Sequence, residues 1–192
     1  MTLARKVAGA LRDLPNSKAV AHFDHAVDSY FDAHLRGKPA LDRVMYTASA
    51  VGDHSMVWLA LAALQGPVSG KGWRPLVRAG ALLGAESGLV NGLVKLVFRR
   101  ERPDVTGPHP LPLRTPLTSS FPSGHASAAF CAAALLRRGG SWPVYYTVAS
   151  IVASSRVHVR MHHASDVIAG AALGAALGEL ARPVFPLLPP QR

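Results

Sequence analysis

The sequence has one cysteine, Cys131, which rules out an internal disulfide; among its alanine neighbours it reads as a small buried filler. Acidic residues are scarce, 11 Asp and Glu against 21 Lys and Arg, for a net charge of +10. Such a balance fits a nucleic acid, an anionic lipid or a phosphate-bearing substrate. Nucleic acid is excluded first, because the basic residues sit at the ends of apolar spans and form no stripe interleaved with aromatics. No cleavable leader is visible, since Met1 to Lys18 lacks a continuous apolar core. Compact histidine, cysteine and carboxylate sets at zinc spacing are missing too, and the arginines beside the histidines would repel a cation, so no metal is expected.

Charge is also missing from long stretches. Val44 to Gln65, Leu76 to Phe98, Ser123 to Leu136, Trp142 to Ser155 and Val167 to Leu180 are free or nearly free of it. Two of them reach the roughly 20 residues that a membrane crossing needs, and the shorter ones can be completed by tilt and by snorkelling end charges. The expected fold is therefore all-α, a multi-pass transmembrane bundle of about five crossings. Residues 1-43 form an N-terminal interfacial segment and 44-192 a membrane-embedded domain. Within the first, Val20, Phe23, Val27, Tyr30 and Phe31 follow helical spacing, and Asp24, Asp28 and Asp32 make a second stripe four apart. This predicts an amphipathic helix ended by Gly37 and Pro39, lying on the membrane or over the mouth of a site, with the acids as a solvated face.

Asp53 and His54 fall inside the first span and receive no chemical role. After a turn over Gln65 to Gly70, the second span carries Gly80, Gly84, Gly88 and Gly92, a ridge suited to close helix approach. Ser87, Asn91 and Lys95 form a polar ridge beside it that should point into the bundle. Gly170, Gly174 and Gly178 repeat the device in the last span. Between the second and third spans, the proline-rich stretch from Arg99 to Phe121 is too poor a helix former to be anything but a loop, and Pro183 to Pro190 makes a proline-rich tail.

Three clusters carry chemistry. In Ser119-Ser-Phe-Pro-Ser-Gly-His125, Pro122 suits the first turn of a helix. Ser123, Gly124 and His125 then offer N–H groups and the positive dipole end to an anion. Lys95 and Arg102, seven apart, point the same way if the helix continues, with Pro103 fraying its end; alone, they and Arg99 and Arg100 read as cations snorkelling to headgroups. In the third cluster, Arg156 and His162 need a turn between them to meet, while His162 and Asp166 can hydrogen-bond, with His158 and His163 as rivals. Together these make a site for phosphoryl transfer without metal.

The three clusters resemble the motifs of the type 2 phosphatidic acid phosphatase superfamily: Lys95, six residues and Arg102-Pro103; Pro122-Ser123-Gly124-His125; and Ser155-Arg156, five residues, His162, three residues and Asp166. The resemblance implies a helical bundle, usually of six membrane helices, one more than the sequence shows here. It implies that His162 attacks phosphorus, Asp166 orients it and His125 protonates the leaving oxygen. Lys95, Arg102, Arg156, Ser123 and Gly124 would bind the phosphoryl oxygens. With His162 starting neutral and His125 protonated, a bell-shaped pH profile follows. The expected substrate is a membrane lipid phosphate or diphosphate (phosphatidic acid, phosphatidylglycerol phosphate or a polyprenyl phosphate), with no cofactor and no nucleic acid. Two other classes remain: an inactive lipid-phosphate binding or transport protein, which the intact histidines oppose, and a vanadate-dependent haloperoxidase, whose relatives are soluble and larger. The location is a cell membrane; the Lys and Arg balance would turn the site inwards, whereas the resemblance favours an outward-facing site. Oligomeric state has no signature.

Overall fold

A computed structural model describes residues 9, 12–104 and 118–187. The expectations for Met1 to Lys18, for most of the Arg99 to Phe121 loop and for the end of the proline-rich tail lie wholly or partly outside these. Among the described residues there is no strand. The described residues hold, beside short 3₁₀ turns, seven longer helices: α1 Lys18–His34, α2 Pro39–Val51, α3 Met56–Val68, α4 Arg74–Val97, α5 Gly124–Leu136, α6 Trp142–His158 and α7 Ala164–Val184. Two, α4 and α7, are long and apolar enough to cross a membrane; α3 and α5 are apolar but have 13 residues each.

Helix α5 is the centre. Its alanines, with Cys131, Leu135 and Leu136, are buried on nearly every side, packed among α3, α4, α6 and α7. The close partner is α7. A Cβ on Gly170 or Gly174 would collide with the carbonyl of Ser123 or Ser127, and one on Gly178 would lie 2.7 Å from that of Cys131. This glycine stripe does what the spacing predicts. The stripe on α4 does not: Gly84, Gly88 and Gly92 face open space. The reason is a change of helical period. Helix α4 turns π-helical over Gly88–Val94, so the buried residues run Leu83, Glu86, Val90, Lys95, the last step being five. Ser87 is accordingly exposed, not turned into the bundle, and Glu86 is buried in its place, accepting a short hydrogen bond from Ser127 Oγ.

The expected Val44 to Gln65 span is two helices. A 3₁₀ turn at Asp53–Ser55 and Ser55 at φ 59° break it; Gly52, just before the turn, sits against α6, where a Cβ would be 2.9 Å from Val152 Cγ1. Conversely, α3 continues through Gly66 and Pro67, past where a turn was expected; a proline in the last turn removes only one bond.

Ser17 caps α1, its Oγ accepting from Val20 N at 3.4 Å. The helix is amphipathic, but its acidic stripe is a solvated face only in part, exposed at Asp32 and half-buried at Asp28. Asp24 is buried, while Asp28 and Asp32 accept from Arg36 at 2.6 and 2.9 Å. Phe23 and Tyr30, from the apolar stripe, are exposed as well. Val27 and Phe31 pack on the cluster Ala126, Ala153, Val157, Ala164 and Val167, so α1 lies against the ends of α5, α6 and α7. The boundary drawn at residue 43 falls inside α2.

Candidate functional site

The site forms where α4 ends, α5 begins, and α6 turns into α7. Pro122 precedes the helix rather than occupying its first turn. Ser123 is the N-cap and accepts from Ala126 N at 3.4 Å, leaving the amides of Gly124 and His125 as the helix start. Gly124 lies close to α4: a Cβ there would meet the side-chain amide of Asn91, which would have to move. Ser123 N donates to Asp166 O at 2.9 Å, tying the start of α5 to the start of α7.

Helix α6 ends at His158, and Met161 N and His162 N both donate to Arg156 O, at 3.0 and 3.1 Å. Arg160 takes φ 56° within this turn. The turn is the one that the six-residue spacing of Arg156 and His162 demands, and it puts them in one site. The rival His158 is excluded, as its Nε2 donates to Asp42 Oδ1 at 2.7 Å, away from the cluster. His163 caps α7, its backbone N donating to Asp166 Oδ2 at 2.9 Å.

His162 is buried, and its tautomer follows from its neighbours. Arg102 Nη1 lies 3.3 Å from His162 Nε2; a guanidinium can only donate, so Nε2 accepts and carries the lone pair. The proton then resides on Nδ1, on the side of Ser120 and Asp166. The expected direct bond between His162 and Asp166 is not formed: Nδ1 and Oδ2 are 3.8 Å apart. Ser120 Oγ lies between them, 3.4 Å from Nδ1 and donating to Asp166 Oδ2 at 2.6 Å. Burial is the main force on this imidazole, with the positive charges of Arg102 and Arg156 added, and together they push its pKa down to about 3. The ring is neutral at physiological pH.

The cations gather as the motifs predict. Lys95 and Arg156 are buried, and Arg156 Nη1 donates to Ser49 Oγ of α2. Helix α4 ends at Val97, sooner than the seven-residue spacing required, and Arg102 reaches the site from the following extended segment, holding Met161 O at 2.7 Å. Arg102 Nε and Arg156 Nε are buried with no acceptor among the described residues. Two orphaned guanidinium donors beside a lone pair fit a tetrahedral oxyanion. A cavity of about 680 Å³ lies beside the site, lined by Lys95, Leu96, residues 98–102, Thr118 and Ser119; of the motif residues it touches Lys95 and Arg102.

Three contributions were missed. Asp53, given no role, accepts from His125 Nε2 at 2.6 Å and thereby fixes that ring; the side chain of His54 lies outside the described residues. Arg100, read as a snorkelling cation, is buried and donates to Asp166 Oδ1 and Asp24 Oδ2, each at 2.5 Å. Ser120 had no assigned part. No local spacing signals these pairings, which join residues 42 to 76 positions apart. Among the described residues, no cluster of three or more metal-ligating side chains is present.

Residues 75–188 match the PAP2 superfamily. The decaprenylphosphoryl-5-phosphoribose phosphatase of Mycobacterium tuberculosis is 36% identical over 76% of this chain and 81% of that protein. Its namesake in Mycolicibacterium smegmatis is 35% identical over 72% and 76%. A lipid A 1-phosphatase of Porphyromonas gingivalis is 39% identical over 57% of this chain but only 24% of its own length. In fold, the chain is similar to a transmembrane PAP2-type phosphatidylglycerolphosphate phosphatase from Bacillus subtilis, with a TM-score of 0.71, 24% identity, and 93% and 92% of the two chains covered.

Proposed function

Because this chain belongs to the PAP2 superfamily, we propose that it is a membrane phosphatase that removes the phosphate of a lipid phosphate or diphosphate through a phosphohistidine. The observation that carries this reading is the neutral, buried His162 with its Nε2 lone pair beside Arg102 and two unsatisfied guanidinium donors. The Nε2 lone pair attacks phosphorus in line with the departing ester oxygen; the P–O bond breaks and its electron pair leaves with that oxygen. His125, held by Asp53 at Nε2, supplies the proton from its other nitrogen. As a P–N bond forms, the ring becomes cationic; Nδ1–H points at Ser120 Oγ, which donates to Asp166, and the carboxylate stays ionised and stabilises that charge. Lys95, Arg102, Arg156, Ser123 and the Gly124 amide take the phosphoryl oxygens, whose charge of about −1.5 to −2 three cations can offset. Water then attacks phosphorus and gives a proton to His125; the P–N bond breaks with its electron pair returning to Nε2, releasing phosphate and restoring both histidines.

A lipid substrate is supported by the relatives' substrates and by the two long apolar helices whose ends frame the site. In purified protein in detergent, phosphate release from phosphatidic acid or a polyprenyl diphosphate is expected to persist in excess chelator and to vanish in His162→Ala. Turnover by that variant at the wild-type rate would exclude the mechanism, and no release from any lipid phosphate would favour a binding protein.

A further inference from the structure

The chemistry above uses Asp166 to hold His162, but Asp166 is itself held by a cation that takes no part in it. Arg100 bridges two carboxylates, Nη1 to Asp166 Oδ1 and Nη2 to Asp24 Oδ2, and all three side chains are less than a tenth exposed. Ser165 closes the ring: its Oγ accepts from Arg100 Nη1 and donates to Asp24 Oδ2, both at 2.7 Å, and its N donates to Asp24 Oδ1 at 2.8 Å. The main chain of Arg100 adds a second hold, accepting from Ser120 N at 2.9 Å and donating to Ser119 Oγ at 3.2 Å. One residue therefore sets both the carboxylate and the hydroxyl that stand behind the nucleophile.

The charge count gives this arrangement its meaning. A buried guanidinium paired with Asp166 alone would cancel that carboxylate just where the ring must become positive. Shared with Asp24, the cluster keeps one net negative charge. That charge faces His162, which is otherwise approached by the cations Arg102 and Arg156. Asp24 belongs to α1, the helix outside the three motif clusters.

We propose that Asp24 is a positioning residue for the reaction: through Arg100 it leaves Asp166 charged and fixed, so the N-terminal helix is part of the catalytic apparatus. This rests on His162 being the nucleophile. Asp24→Asn in the full chain keeps the shape and, through its one remaining oxygen, the bond from Ser165 N, but removes the charge and one acceptor. The expected result is a kcat lower by about tenfold or more, the size of effect a nearby buried charge exerts on a titrating group, with KM within about twofold. Asp24→Glu keeps most of the rate. Arg100→Lys, which retains charge but loses the two-pronged fork, lowers kcat as Asp24→Asn does. In Arg100→Gln, adding Asp24→Asn lowers kcat no further, because Asp24 has nothing left to act through.

A purely structural role for Asp24 would instead shift the unfolding temperature in detergent and give losses that add to those of Arg100→Gln. Wild-type kcat in Asp24→Asn, or additive losses, would overturn the inference while His162→Ala remained inert and the phosphatase reading stood. An active His162→Ala would remove both. If Asp24→Asn does not fold, Arg100→Lys and Arg100→Gln decide, since either one at wild-type kcat refutes the bridge.

Discussion

At the scale of the residue, His162 couples chemistry to stability. Its unfolded pKa of 6.5 falls to about 3 in the fold, chiefly through burial. The unfolded chain therefore binds the proton first on acidification, so the stability associated with a neutral ring is complete above about 6.5 and drains away as pH drops towards 3. The unfolding temperature should decline over that window in the wild type and decline less in His162→Gln, measured by thermal melts in detergent. The same shift reshapes the bell-shaped profile expected from the motif: His162 is already neutral throughout the weakly acidic range, so the acid limb moves well below neutrality and the basic limb reports His125. Ser120 gives a second prediction. Ser120→Ala breaks the link from Nδ1–H to Asp166 and strips a buried carboxylate of one donor, so kcat should fall by about ten- to a hundredfold in steady-state assays. A change confined to KM would show that Ser120 only shapes the pocket.

At the scale of the element, the two glycine stripes separate sequence pattern from its use. Both have i, i+4 spacing, and only the stripe on α7 is packed. Gly174→Ala should destabilise the fold by about 1–3 kcal/mol, as overpacking does, because the new methyl meets a carbonyl of α5 that cannot yield. Gly88→Ala meets nothing within 4 Å and should be neutral or stabilising by up to about 1 kcal/mol, its helical propensity being better. Comparative melts of the two variants test this, and equal losses would place the α4 stripe in a contact as tight as that on α7. The π-helical segment explains why the pattern misled: inserting one residue's worth of rotation between Val90 and Lys95 aims the lysine into the site and turns Ser87 and the glycines outwards.

At the scale of the whole molecule, the legible parts were those that covalent spacing controls. Ser123, Gly124, His125, Arg156 and His162 lie within two short segments whose turns can be read from proline, glycine and the helical period, and the structure brings them together with Lys95 and Arg102. What stayed hidden depends on distant segments meeting. Asp53 reaches His125, 72 residues on, from the 3₁₀ turn that divides the first apolar span. Asp24 and Arg100 looked like solvated charges because nothing local distinguishes a buried ion pair from an exposed one. The all-helical architecture was legible from the apolar spans; their lengths were less so, since burial inside the bundle permits helices that a lipid-facing segment would not.

Helix α5 shows what such shortness does. Its 13 residues rise about 20 Å, some 10 Å less than the hydrocarbon thickness of a bilayer. The start of α5 packs against Asn91 of α4 and Gly170 of α7, six residues from the nearer end of each, so its first amides are recessed by about 9 Å below the ends of both neighbours. A lipid can then present its phosphate without being hoisted into water, which would cost about 0.8 kcal/mol for each methylene exposed. A recessed start of α5 thus suits a phosphate whose acyl or prenyl tail stays in the leaflet.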